Sequence, residues 1–140
     1  MPDTKNPPYD PDFPPGPKGS TQPRTVALVE DDTDNRESIT EALEAEGFRV
    51  RPLATVQEAL KLLDASRCPG LILLDLRMPP KGGGELLAAI ALRSDRERFR
   101  VVVISAAAEA PAMATRPRVV EVLRKPFALE KLLDAVRRYA

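Results

Sequence analysis

The residues of this chain whose types could do chemistry together are the acidic run Glu30-Asp31-Asp32, a lone Asp75, Ser105 and Lys125. Each follows closely on an apolar run: Thr25-Val-Ala-Leu-Val29, Leu71-Ile-Leu-Leu74, Val101-Val-Val-Ile104 and Val119-Val-Glu-Val-Leu123. Carboxylates brought to one place by two such runs repel, by about 4 kcal/mol per pair at 4 Å and an effective dielectric near 20. Something positive must offset that. An all-oxygen acidic cluster open to solvent suits Mg²⁺, which keeps several waters and binds one or two carboxylates plus a phosphoryl oxygen. Lys125 adds a fixed positive charge, and the Ser105 hydroxyl can donate to an oxyanion. The set asks for a phosphoryl group. A carboxylate can attack phosphorus to give an aspartyl phosphate, while metal and ammonium neutralise the equatorial oxygens.

The elements that must position these groups alternate along the chain. Continuous apolar runs bounded by turn residues read as strands buried on both faces, the habit of parallel sheets. Phe48-Arg-Val-Arg51 reads as a further short strand, closed by Pro52. Between the strands lie amphipathic stretches. Thr33 or Asp34 offers an N-cap to a helix burying Ile39, Ala42 and Leu43, and Gly47 stops it. Thr55 and Glu58 have capping-box spacing ahead of Val56, Ala59, Leu60 and Leu63, a helix expected to end within Ser66 to Pro69. Leu86, Leu87, Ala89 and Ile90 mark a third helix. A short one is expected before Pro117, and Leu129, Leu132, Leu133 and Val136 form the inward stripe of the last. Strand followed by helix, five times over, predicts an α/β fold: a doubly wound parallel sheet with helices on both faces and right-handed crossovers. In such a sheet the carboxyl ends of the strands, and hence the chemical residues, meet at one rim.

Composition narrows the function classes. The 140 residues suffice for one domain with a real core. Lys+Arg and Asp+Glu balance at 21 each, so no global field draws the chain to nucleic acid or anionic lipid, and the sequence shows no basic run. With no histidine, a Ser-His-Asp triad, a His-ligated zinc and a phosphohistidine of its own are all excluded. A single cysteine, Cys68, excludes an internal disulfide; with no secretory signal and no apolar run of membrane length, a cytoplasmic location is expected. Eight of the fifteen prolines fall in residues 1–23, which predicts a disordered Pro-rich tail ahead of a domain over 24–140. Taken singly, each chemical residue has an ordinary alternative: a helix-terminal charge for Glu30, Asp31 and Asp32, a cap for Ser105, a loop acid for Asp75, a solvated lysine for Lys125.

Together they carry more. Val29-Glu-Asp-Asp32, Asp75-Leu-Arg-Met-Pro79 with its glycine loop, Ile104-Ser-Ala106 and Lys125-Pro-Phe127, in this order and at these separations, resemble the receiver domains of bacterial two-component response regulators. The resemblance covers about residues 24 to 140. It implies a flavodoxin-like five-stranded sheet of order 2-1-3-4-5. It implies that Asp75 accepts a phosphoryl group from a sensor histidine kinase or a histidine phosphotransfer protein. Asp31 would bind Mg²⁺ directly, Glu30 through water, and Arg77 only through its backbone carbonyl. Ser105 and Lys125 would hold the phosphoryl oxygens, and Lys125-Pro126 would be a cis peptide. Such a protein is no enzyme beyond self-phosphorylation and self-dephosphorylation.

The chain departs from the family's pattern at three points. Val122 stands three positions before the lysine, where an aromatic switch residue is usual. The interval from Ser105 to Lys125 is slightly short, with Pro111 and Pro117 inside it, and Gly82 stands where an acid often occurs. The leading expectation is a single-domain response regulator that signals by protein–protein contact, with no nucleic-acid partner. The alternative is a phosphorylation-independent interaction module with an altered output face. An aspartate-nucleophile phosphatase of the haloacid dehalogenase type would need a second aspartate where Arg77 stands.

Overall fold

The computed structural model describes residues 24–65, 68–75, 83–105 and 110–140. Five strands, β1 (Thr25–Val29), β2 (Arg49–Leu53), β3 (Leu71–Asp75), β4 (Arg100–Ser105) and β5 (Val119–Arg124), pair in parallel in the order 2-1-3-4-5. Their side chains alternate between two cores, as a period of two requires. Ala27, Val29, Ile72, Leu74, Val101 and Val103 pack against α2 (Val56–Leu63) and α3 (Gly83–Ala91). Val26, Leu28, Leu71, Leu73, Val102 and Ile104 face α1 (Thr33–Ala45) and α4 (Leu129–Tyr139). Both faces are buried, so the inner strands read as unbroken apolar runs. The doubly wound order 2-1-3-4-5 is the expected one.

Several local expectations are corrected. Asp32, not Thr33 or Asp34, caps α1, its carboxylate accepting from the Asn35 N–H at 2.9 Å. β2 runs through Pro52 to Leu53. It is an edge strand, where a residue without an N–H costs no ladder bond. Thr55 caps α2 as expected, accepting from Glu58 N–H, but the Glu58 carboxylate reaches one residue further back, to Ala54 N–H. α2 stops at Leu63, ahead of the expected terminus. Leu129 is exposed, being the first residue of α4; Ala135 joins Leu132, Leu133 and Val136 in the core instead. Between β4 and β5 there is no α-helix among the described residues. A 3-10 segment, Ala110–Thr115, stands in its place. Gly47 does end α1, with φ +92°, a conformation open to glycine.

β5 carries an irregularity that matters for the rim. Val101 pairs with Val119 but Val102 pairs with Glu121, so one extra residue, Val120, bulges out of the ladder. Beyond it Val103 and Val122 share one core and Ile104 and Leu123 the other. The bulge thereby shifts β5 by one residue relative to β4 and sets Arg124 level with Ser105 at the carboxyl end.

Candidate functional site

Strand register brings the chemical residues level. Val29 pairs with Leu74, so Glu30 lies beside Asp75; Asp75 pairs with Ile104, so Ser105 follows; Ser105 pairs with Arg124, so Lys125 comes next. Lys125 N–H donates to Ser105 C=O at 3.1 Å and ties the two strand ends together. Lys125 then projects over the rim, donating from Nζ to Glu30 Oε1 at 3.0 Å and to Asp75 Oδ2 at 3.2 Å. The Lys125-Pro126 peptide is cis, as the resemblance implied.

Depth grades the members of the site. Glu30 and Ser105 are fully buried, Asp75 nearly so, and Asp31 is exposed. Carboxylate oxygens of Glu30, Asp31 and Asp75 lie within 4.8 Å of one another. Burial pushes the Glu30 carboxyl up to about 7, the contact with Asp75 adds to the rise, and Lys125 opposes it. Burial likewise works against the Lys125 charge, but the bond to Glu30 and the fields of Asp75 and Glu30 prevail and raise its pKa above the ordinary lysine value. Glu30 Oε2 is shut off from solvent with no hydrogen-bond partner among the described residues. Two adjoining carboxyls can hydrogen-bond only by sharing a proton; as anions they need a cation. Three carboxylates against one ammonium, an orphaned oxygen and an all-oxygen donor set fit a hard divalent ion reached from the exposed, Asp31 side.

The site has supports that no sequence motif marked. Arg36, on the first turns of α1, donates to the backbone carbonyls of Glu30 at 2.9 Å and Asp31 at 3.3 Å, and so pins the acidic loop. Glu30 N–H donates to Leu53 C=O at 3.0 Å, tying the loop to β2. Gly83 opens α3 directly behind Asp75. A Cβ there would meet Leu74 Cδ2 and Cγ at 3.1 Å and Asp75 C=O at 3.2 Å. An arginine six residues after an acid, or one glycine among three, carries no signal that separates it from its neighbours. Arg77 and Gly82, like the Met78-Pro79 pair and residues 1–23, lie outside the described residues.

Known proteins agree with this geometry. Residues 26–137 match the family described as the response regulator receiver domain. The C4-dicarboxylate transport transcriptional regulatory protein DctD of Pseudomonas aeruginosa is 34% identical over 118 residues, 81% of this chain and 24% of that protein. The transcriptional regulatory protein MalR of Bacillus subtilis is 38% identical over 118 residues, 81% of this chain and 49% of its own length. The chain thus spans about a quarter to a half of the length of these relatives. Sporulation initiation phosphotransferase F of Bacillus subtilis, 27% identical, is matched over 91% of its length. Among solved structures, a response regulator receiver protein from Pseudomonas putida superposes with a TM-score of 0.75 at 30% identity, over 85% of this chain and 99% of that one. With the fold, the acidic rim and its lysine in agreement, the chain belongs to the response regulator receiver domain family of two-component systems.

Proposed function

We propose that residues 24–140 form a phosphoacceptor switch in which Asp75 takes a phosphoryl group from the phosphohistidine of a sensor kinase or phosphotransfer protein. A carboxylate oxygen of Asp75 forms the new bond to phosphorus as the partner's N–P bond breaks, and the electron pair returns to the imidazole. Glu30, Asp31 and Asp75 would hold Mg²⁺. The ion, when bound, neutralises the carboxylates and the oxygens in transfer. Lys125, already 3.2 Å from Asp75, pairs with a phosphoryl oxygen, and the Ser105 hydroxyl hydrogen-bonds another. The reading rests on Lys125 Nζ, which bridges Glu30 and Asp75 from just beyond the end of the edge strand β5. Output is by contact with another protein, and the chain's only chemistry is gain and loss of its own phosphoryl group. The near full-length match to a phosphotransferase of receiver size supports a single-domain regulator, with residues 1–23 a Pro-rich tail. No described helix is long and apolar enough to cross a membrane, which suits an exchange with cytoplasmic partners.

Intact-protein mass after incubation with acetyl phosphate, with and without Mg²⁺, tests this on the wild type and on Asp75→Ala. One phosphoryl adduct that requires both Mg²⁺ and Asp75 is expected. A second reading is favoured by the 3-10 segment Ala110–Thr115 and by Val122: a module that binds its partner unphosphorylated. A folded wild-type protein that takes no adduct would replace the first reading with the second.

A further inference from the structure

The chain is neutral in sum, but its surface charge is divided between two places. At the amino ends of the strands, opposite the acidic rim, Arg24, Arg49, Arg100 and Arg118 sit at the starts of β1, β2, β4 and β5. Three of them are held by backbone carbonyls: Arg24 by Arg137 C=O at 3.0 Å, Arg100 by Tyr139 C=O at 3.2 Å, and Arg118 by Phe99 C=O and Glu97 C=O at 2.9 and 3.0 Å. A carbonyl orients a guanidinium without cancelling its charge. None of the four is in an ion pair among the described residues, although the exposed carboxylate of Glu97 lies in the loop beside them. With strands about 4.8 Å apart, this row spans about 19 Å.

The counterpart is on α1. Asp34, Glu37, Glu41 and Glu44 recur at helical spacing on one face, all exposed and none in an ion pair among the described residues. They extend over about 15 Å, at about 1.5 Å per residue. Like charges at this spacing repel, and no cation among the described residues is in an ion pair with them. Between α1 and β2 the same face opens into a cavity of about 340 Å³ lined by Arg36, Glu37, Thr40, Glu41 and Pro52. The Thr40 hydroxyl oxygen in its wall is shielded from solvent and has no hydrogen-bond partner among the described residues. The Arg36 guanidinium is drawn away to the Glu30 and Asp31 carbonyls, so the two glutamates dominate the opening. A pair of exposed carboxylates at the mouth of a cavity is a receptor for a guanidinium.

Pro52 in the cavity wall lies at the carboxyl end of β2 and the arginines at the amino ends, so the row does not fill the cavity of its own molecule, although α1 runs back far enough to bring Glu44 to the arginine end. We propose that they meet between molecules: the arginine row of one copy docks on the α1 acids of a second, with Arg24 or Arg100 entering the α1–β2 cavity. The contact joins unlike faces, so it adds copies head to tail and does not close as a twofold dimer. It rests on exposed ion pairs and is therefore weak and salt-sensitive.

Sedimentation velocity of the full chain at about 10 mM and about 300 mM salt, over a range of protein concentrations, reads this directly. The weight-average mass is expected to rise with concentration above the 15.3 kDa monomer in low salt with no plateau at the dimer, and to return to the monomer in high salt. Two charge-reversed variants, Arg24→Glu with Arg100→Glu and Glu37→Lys with Glu41→Lys, are each expected to remain monomeric alone and to associate when mixed. Thermal melts confirm that both fold, and single reversals serve if a double variant does not. A wild type monomeric at every concentration in low salt, or association untouched by either reversal, would overturn the proposal. So would a row that binds a labelled single-stranded oligonucleotide while the copies remain apart.

Discussion

Lys125 shows how one side chain can hold an otherwise unfavourable cluster together. It is a quarter exposed, yet bonds two carboxylates of which one is fully buried. Removing a partner from a buried pair costs about 3–5 kcal/mol where the remaining charge stays uncompensated. Partial exposure of this lysine reduces the figure. Lys125→Ala is expected to destabilise the metal-free protein by about 1–3 kcal/mol in urea melts. Added Mg²⁺ should recover part of the loss, since a divalent ion supplies the charge the lysine no longer does. A variant as stable as the wild type without Mg²⁺ would mean that the acids share a proton and have no need of the ammonium. Cys68 is the opposite case, a buried group that takes no part in the chemistry. Burial, partly offset by the charges of Arg98 and Arg93, pushes its thiol up to about 11, leaving it an inert apolar side chain at neutral pH.

At the scale of elements, the start of α3 contrasts two adjacent glycines. Gly83 lies against Leu74 and the Asp75 backbone, whereas a Cβ on Gly84 would meet nothing within 4 Å. Gly83→Ala must displace either α3 or the strand end that carries Asp75, so a loss of about 1–3 kcal/mol is expected. Gly84→Ala should gain about 0.4–1 kcal/mol, because it lowers the entropy of the unfolded chain at a helical position. Chemical denaturation of the two single variants separates them. Equal and small effects would show that α3 can shift freely relative to β3. Of this region the sequence revealed a glycine-rich loop, but not which glycine has no room for a side chain, since that depends on how closely α3 approaches β3.

The whole molecule combines an intact acidic rim with an altered fifth-strand edge. Val122 is half-buried on β5 and packs with Met113 of the 3-10 segment against the α2–α3 core. A valine cannot swing between a buried and an exposed position as a large ring can, and the internal hydrogen bonds of a 3-10 turn have poorer geometry than those of an α-helix. Beryllofluoride loading is expected to change amide exchange near the rim, with little cooperative change through Ala110–Thr115. The comparison is a receiver that carries an aromatic at the Val122 position. Changes as large in both proteins would mean that the switch operates without the ring. The divided surface charge also belongs to this scale: equal totals of acid and base suggested a featureless field, and only folding aligned the starts of four strands into a row of arginines.

The amino-acid sequence by itself determined the strand–helix alternation, the parallel sheet and the acids, hydroxyl and lysine that end its strands. These follow from local pattern: apolar runs of strand length, periodic stripes and turn residues need no knowledge of what they pack against. Tertiary structure alone decided the rest. Asp32 rather than Thr33 caps α1 because the direction in which the chain leaves β1 chooses among adjacent capping residues. Pro52 is admitted to β2 because that strand lies at an edge. Leu129 is left exposed because the α4 core contact begins three residues later. Lys125 reaches Glu30 and Asp75 because a bulge at Val120 advances β5 by one position. Each depends on a neighbour distant in the chain, and a local pattern contains no term for it.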